Sequence, residues 1–189
     1  MLKIVQAPNS VLSAIAKPVS KIDKDLLLLI KNMEKALIAA KDPEGVGLAA
    51  PQVGKSLQLF IVKEAKNAPL LVFINPRLHI SKNAKLLLPK QEKSEKEEIE
   101  DGVKLEGCLS LKDVWGVVGR YEKVELSFLD EHGKHYTKSF DGFLATIIQH
   151  EVDHLHGIIF PKRVLEQKSK LYKSKKNDKG ETVFKEMAI

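Results

Sequence analysis

Two histidines near the C-terminal end of the chain are spaced as ligands of one metal ion. Residues 149–154 have the sequence QHEVDH. Side chains four residues apart on a helix lie on the same face, about 6 Å apart, so His150 and His154 can bind the same ion. Glu151 between them can reach a water molecule bound to that ion. The alternative is a pair of histidines on a polar surface helix.

An apolar stripe precedes the two histidines on the same predicted helix face. Phe143 and Ile147 lie seven and three residues before His150, with a spacing of four and then three. This periodicity favours a face that points into the protein rather than into water. We therefore expect the histidines to face the core as metal ligands.

A catalytic site of this type needs a third protein ligand and an open position for water. In metal peptidases with the longer motif HExxHxxGxxH, the last histidine supplies that ligand. This chain has the corresponding Gly157 but carries Phe160 at the position of the last histidine. Cys108, the single cysteine, is the obvious candidate, and a buried thiol without chemistry is the alternative.

A glycine-rich segment, residues 45–54 with the sequence GVGLAAPQVG, lies between a predicted helix and a predicted strand. Its start fits the GxGxxA fingerprint of dinucleotide-binding proteins. That fingerprint must follow a strand and open a helix, whereas here a helix comes before it and Pro51 interrupts any helix after it. Nucleotide binding is therefore disfavoured, and the glycines indicate that something approaches this backbone closely.

Three segments taken together resemble the signature motifs of the peptide deformylases. They are GVGLAAPQ at residues 45–52, EGCLS at 106–110 and QHEVDH at 149–154. The resemblance implies removal of the formyl group from N-formyl-methionyl nascent peptides, with release of formate. It also implies one divalent metal ion held by Cys108, His150 and His154, natively Fe(II), although Zn, Ni or Co would also suit these donors.

The same resemblance implies catalytic roles for three further residues. Glu151 would accept the proton of the attacking water and pass it to the leaving amine. The Gln52 side-chain amide and the backbone N–H of Leu109 would stabilise the oxyanion. The alternatives are a surface carboxylate for Glu151 and a turn residue for Gln52.

Substrate binding is expected along the glycine-rich segment. Small residues there would let an extended peptide pair with the backbone, and apolar residues would receive the methionine side chain. The candidate substrate-binding residues are Gly45, Val46, Gly47, Gly107, Phe143 and Ile147. Of these, Val46, Phe143 and Ile147 could equally be core residues. Glu106 paired with Arg120, and Asp153, are candidates for orienting the ligands, with surface ion pairs as the alternative.

The elements that must position these residues indicate an α+β fold. Helical periodicity covers residues 25–40 and 142–156, and short apolar runs at 57–62 and 70–74 predict strands. A hairpin is predicted over residues 124–140. We expect small antiparallel or mixed sheets packed around a central helix that carries the HExxH motif.

Two segments have a different composition from this catalytic domain, which we assign to residues 1–165. Residues 82–104 are rich in both lysine and acidic residues and predict an exposed, mobile excursion. Residues 166–189 predict a basic tail or terminal helix. The last 29 residues hold nine basic and four acidic side chains, a net charge of +5 out of +6 for the chain.

The distribution of charge suggests contact with ribosomal RNA through the basic tail, and a solvated tail is the alternative. One cysteine excludes an intrachain disulfide, and no signal peptide or apolar run of membrane-spanning length is visible. We therefore expect a cytoplasmic monomer with no membrane association. The competing functions are a metallopeptidase that cleaves internal bonds and a metal-binding module without catalysis.

Overall fold

The computed structural model describes residues 2–41, 44–65, 67–87 and 105–188. Its helices are α1 (Lys24–Ala39), α2 (Gly142–Leu155) and α3 (Phe160–Glu166), with short 3₁₀ helices at Ser10–Ser13 and Ala50–Val53. Its strands are β1 (Gly47–Ala49), β2 (Leu59–Val62), β3 (Leu71–His79), β4 (Leu86–Leu87), β5 (Glu106–Cys108), β6 (Leu111–Gly116), β7 (Arg120–Tyr121), β8 (Lys123–Leu129), β9 (His135–Asp141), β10 (Leu171–Lys176) and β11 (Thr182–Glu186).

The strands of the described residues form three antiparallel sheets, which confirms the predicted α+β class. The first has the order β1-β2-β3-β8-β9, the second β11-β10-β6-β5, and the third pairs β4 with β7. The predicted hairpin over 124–140 is observed as β8 and β9, which pair from Lys123↔Asp141 to Leu129↔His135. No helix within the described ranges is long and apolar enough to cross a membrane.

The five-stranded sheet is covered by a helix on each face. Successive side chains of a strand point to opposite faces, so Phe60 and Val62 pack with α2 while Leu59 and Ile61 pack with α1. The α1 helix begins at Asp23, whose carboxylate accepts the N–H groups of Asp25 and Leu26. Both faces of β2 are therefore buried, which explains why this strand is apolar throughout.

Helix α2 is the central helix and is buried along most of its length. It ends at Leu155, and two residues later Gly157 has a φ of 69°, the left-handed conformation that favours glycine after a helix. A Cβ at Gly157 would lie 2.5 Å from the backbone oxygen of Ser13, so the close approach also requires glycine. The contact of Gly157 with Ser13 fixes the C-terminal part of the helix, which carries residues 149–154.

The C-terminal region corrects the prediction of a basic tail or terminal helix. After the short helix α3, β10 and β11 form a hairpin, and β10 pairs with β6 through Leu171↔Gly116 and Tyr172↔Trp115. Leu171 and Tyr172 are buried, so the hairpin gains an apolar contact that a free tail would lack. The turn sequence NDKG at residues 177–180, followed by Thr182, Val183 and Phe184, was the sequence signal for this hairpin.

The predicted excursion at residues 82–104 is described only in part. Leu86 and Leu87 form β4, pair with β7 and are exposed. Residues 88–104 lie outside the described residues. The strand predicted at 70–74 continues to His79 through an irregularity between Ile74 and Arg77, where Asn75 has a φ of 50°. The Asn75-Pro76 pair bends this strand rather than ending it.

The hairpin supports the strand that carries Cys108. Trp115 on β6 donates a hydrogen bond from Nε1 to Ser174 Oγ at 3.2 Å and meets the Phe184 ring edge-on at 5.7 Å between centroids. A Cβ at Gly107 would lie 2.8 Å from two carbons of the Trp115 ring. The indole, which the hairpin holds in place, occupies the space that a side chain at residue 107 would need. Glycine fits at this position without displacing it.

We predict that Gly107→Ala lowers the free energy of unfolding by about 1–3 kcal/mol, because the added methyl group must displace a packed indole. Urea denaturation of the substituted and unsubstituted proteins measures this cost. In a Trp115→Ala background the same substitution should cost close to nothing. An equal cost in both backgrounds would show that the indole is not the constraint.

Candidate metal centre

Three buried side chains from two elements converge at the inner face of α2. Cys108 Sγ, at the end of β5, lies 3.2 Å from His154 Nε2, which lies 3.2 Å from His150 Nε2. The three ligand atoms all lie within 4.8 Å of one another. The structure therefore brings together the three residues that the sequence analysis assigns to the metal.

The donor chemistry of this cluster fits a divalent metal ion. His150 Nδ1 lies 2.6 Å from Glu106 Oε1, and since a carboxylate accepts, Nδ1 donates and Nε2 is left as the ligand atom. Burial, together with His150, lowers the pKa of His154 well below its usual value, which keeps that imidazole neutral. Burial alone would lower the pKa of His150, but Glu106 and Cys108 raise it well above its usual value, and a metal bound at Nε2 would displace that proton. One thiolate and two imidazoles then form a donor set for Zn or Fe(II).

A chain of buried charges holds these ligands in place. Arg120 donates from Nε and Nη2 to the Glu106 carboxylate at 2.9 and 2.6 Å, and from Nη1 to Asp153 Oδ2 at 2.7 Å. Burial alone would raise the pKa of Glu106, but the charges of His150 and Arg120 lower it to about 2. Glu106 is therefore ionised and able to orient His150 at any physiological pH.

Arg163 on α3 extends this series of ion pairs, and the sequence analysis did not identify it. Its Nη2 donates to Asp153 Oδ1 at 2.6 Å, and its Nη1 donates to Glu166 Oε2 at 2.9 Å. The alternative of surface ion pairs is wrong for Glu106, Arg120 and Asp153, whose side chains are only 8–11% exposed. No spacing rule connects Arg163 to a residue ten positions earlier, so the sequence held no signal for it.

Glu151 lies on α2 beside the metal ligands and is almost fully buried. Its Oε2 has no hydrogen-bond partner among the described residues. Burial raises the pKa of Glu151 to about 7. A carboxyl group with a pKa near neutrality is suited to take up a proton and return it.

Gln52 and Leu109 lie beside the cluster on two different chain segments. The Gln52 side chain is fixed because its Oε1 accepts the N–H of Ala49 at 2.8 Å, and its Nε2 then lies 3.5 Å from Cys108 Sγ. Leu109 follows Cys108 in the turn between β5 and β6. The N–H of Ser110 in this turn donates to Cys108 Sγ at 3.4 Å. Both candidate oxyanion donors therefore border the metal ligands.

The glycines that were expected to make room for a peptide lie against groups of the protein itself. A Cβ at Gly45 would lie 2.7 Å from the backbone oxygen of Leu37, and one at Gly47 would lie 2.5 Å from Glu151 Oε1. Gly47 thus makes room for the Glu151 carboxylate, as Gly107 does for Trp115. The sequence analysis identified a close approach at these positions but not the groups that make it.

The three apolar candidates for substrate binding differ in exposure. Ile147 is buried and Val46 is partly buried, and both belong to the cluster under α2. Phe143, on the first turn of α2, is 55% exposed. The expectation that the whole stripe faces the core is therefore wrong for Phe143, which lies at the solvent-exposed start of the helix.

The sequence matches the family model described as Polypeptide deformylase over residues 1–170. The chain belongs to this family. Its relatives include "Peptide deformylase 1" of Bacillus cereus, 35% identical over 164 residues, covering 87% of this chain and 92% of the relative. The peptide deformylase of Borreliella burgdorferi is 38% identical over 181 residues, covering 95% of this chain and 98% of the relative.

Solved deformylase structures have the same fold. A peptide deformylase from Synechococcus elongatus in complex with actinonin matches with a TM-score of 0.72 and 37% identity, covering 86% of this chain and 78% of that one. The Thermotoga maritima enzyme matches with a TM-score of 0.70 and 28% identity, covering 86% and 97%. The chain is thus a metal-dependent peptide deformylase, which removes the N-formyl group from nascent peptides.

We predict that Glu106→Gln lowers metal affinity about ten- to a hundredfold, because the neutral amide no longer fixes the His150 tautomer or balances Arg120. Competition with a chelator of known affinity measures this change. Glu166→Gln is the matched control, since it removes a carboxylate from the exposed end of the same chain of charges. Unchanged affinity in Glu106→Gln would contradict the role of this carboxylate.

Proposed function

We propose that Cys108, His150 and His154 hold one divalent metal ion, natively Fe(II), and that Glu151, Gln52 and Leu109 carry out deformylation beside it. The observation that carries this proposal is the convergence of the three ligand atoms next to a buried, unpartnered carboxyl oxygen. Zn, Ni or Co would also suit the thiolate and the two imidazoles.

When bound, the metal would lower the pKa of a coordinated water to about 7 and polarise the formyl carbonyl. Glu151 would hold the proton of that water at its carboxylate and then donate it to the leaving amine. The Gln52 Nε2–H and the Leu109 N–H would donate to the oxygen of the formyl group as negative charge develops there. The products are formate and a free N-terminal methionine.

The substrate would bind as an extended strand at the free edges of two sheets. β1 is an edge of the five-stranded sheet and β5 an edge of the four-stranded sheet. Backbone groups near Gly45, Val46 and Gly47 on one side, and near Gly107 on the other, can pair with any downstream sequence. The methionine side chain would lie against Ile147, Val46 and the exposed ring of Phe143.

The proposal includes a cytoplasmic monomer acting on N-formyl-methionyl nascent peptides. All three ligands, the proton acceptor and both oxyanion donors come from one chain, so no second copy is needed to complete the site. Newly made polypeptides are the substrate class, and the cytoplasm is where they emerge.

We predict that the protein, loaded anaerobically with Fe(II), releases formate from a formyl-methionyl tripeptide. Glu151→Gln should lower kcat by at least about a hundredfold and retain one metal ion per chain, because it removes only the proton acceptor. An enzyme-coupled formate assay and metal analysis give the two readouts. Equal turnover by the wild type and Glu151→Gln would contradict the mechanism, and cleavage of unformylated internal bonds would favour the metallopeptidase alternative.

We also propose that the basic C-terminal hairpin contacts ribosomal RNA. Lys173 and Lys175 are exposed and, two residues apart on β10, point to the same face of the sheet. Phosphate contacts by lysine strengthen binding in low salt. The charge of this region and the nascent-chain substrate support the proposal.

Because the hairpin packs on Trp115, charge reversal tests ribosome contact better than deletion. We predict that Lys173→Glu combined with Lys175→Glu reduces co-sedimentation with ribosomes at low salt, with turnover of a free formyl peptide unchanged. The control is the same double reversal at the exposed Lys31 and Lys35 on α1. Equal co-sedimentation of the hairpin variant and the wild type would leave the hairpin as a structural element only.

A further inference from the structure

Residues 5–7, near the N-terminus, connect the two chain segments that carry the candidate oxyanion donors. The N–H of Val5 donates to the backbone oxygen of Gln52 at 2.8 Å. Ala7 N–H donates to the backbone oxygen of Ser110 at 2.9 Å, and the Gln6 side-chain Nε2 donates to the backbone oxygen of Leu109 at 2.9 Å. Three consecutive residues thus bond to both sides of the site.

These two sides belong to different sheets. Gln52 lies in the 3₁₀ helix that follows β1 of the five-stranded sheet, and Leu109 lies in the turn after β5 of the four-stranded sheet. Among the described strands, no ladder joins these two sheets. The relative position of the two donors therefore depends on side-chain contacts such as that of Gln52 Nε2 with Cys108 Sγ, and on the segment that bridges the two sheets.

Oxyanion donors must be placed to within about 0.5 Å to act on the transition state. The Leu109 carbonyl that accepts from Gln6 belongs to the same residue whose N–H would donate to the oxyanion. This carbonyl and the Leu109 N–H lie in adjacent peptide planes that meet at the Leu109 Cα, so fixing the carbonyl narrows the directions that the N–H can take. The Val5 bond restrains the Gln52 backbone in the same way.

We infer that residues 5–7 fix the position of the two oxyanion donors relative to each other. Gln6 is then a positioning residue for the deformylation step. The inference rests on the proposed roles of Gln52 and Leu109. The hydrogen bond of the Gln6 side chain goes to the Leu109 backbone oxygen and not to a metal ligand. Its side chain is exposed, so replacing it removes one hydrogen bond without opening a cavity in the core.

The test is a kinetic comparison of Gln6→Met and Gln6→Lys. Methionine has a similar length but no donor, and we expect kcat to fall about three- to tenfold with KM and metal content unchanged, the size expected for one hydrogen bond. Lysine keeps a donor at a similar reach, so Gln6→Lys should restore kcat to within about twofold of the wild type. A merely structural role would lower the metal content together with the apparent kcat, so an unchanged metal content excludes it.

The matched control is Gln58→Met. Gln58 Nε2 donates to the backbone oxygen of Ala16 at 3.3 Å, a side-chain to backbone bond of the same kind that touches neither donor segment. We expect its kcat to equal that of the wild type. Wild-type kcat in Gln6→Met, or an equal loss in Gln58→Met, would overturn the inference.

A third variant separates this inference from the proposed function. Gln52→Leu removes one donor outright and should lower kcat further than Gln6→Met does. Full activity in Gln52→Leu would contradict the proposed oxyanion role itself. A strong loss in Gln52→Leu together with normal activity in Gln6→Met would overturn only the positioning role of the N-terminal segment.

Discussion

The active site depends on one buried guanidinium shared by two carboxylates. Arg120 binds Glu106 on β5 and Asp153 on α2, and so ties the strand that ends at Cys108 to the helix that carries both histidines. Removing one partner of such a buried group would leave an uncompensated charge, at a cost of about 3–5 kcal/mol. Burying these charges costs free energy that offsets much of their mutual attraction. The ion pairs therefore define the ligand geometry more than they add net stability.

Close packing of glycine against functional side chains is the second constraint. The carboxylate of Glu151 occupies the space where a side chain at Gly47 would be, and the Trp115 ring occupies the equivalent space at Gly107. The C-terminal hairpin supports that ring through Phe184 and extends the sheet of Cys108. The charged C-terminal region thus packs against the sheet that carries Cys108.

The sequence predicted the residues that carry out the chemistry better than the residues that hold them in place. Helical periodicity alone brings His150 and His154 together, and the resemblance of residues 106–110 to a deformylase motif implied Cys108 as the third ligand. Arg163 could not be found, because its contact with Asp153 depends on how α3 packs after Gly157. The hairpin at residues 171–186 was not predicted, because lysines interrupt the alternation of apolar and polar residues in its strands.

X-ray absorption at the metal edge of the zinc-loaded protein tests the central claim, that Cys108 and the two histidines form one coordination sphere. The account predicts one sulfur scatterer at about 2.3 Å and two imidazole nitrogens at about 2.0–2.1 Å. The sulfur contribution should disappear in Cys108→Ser. A wild-type spectrum with no sulfur scatterer, or with a single imidazole, would contradict the account.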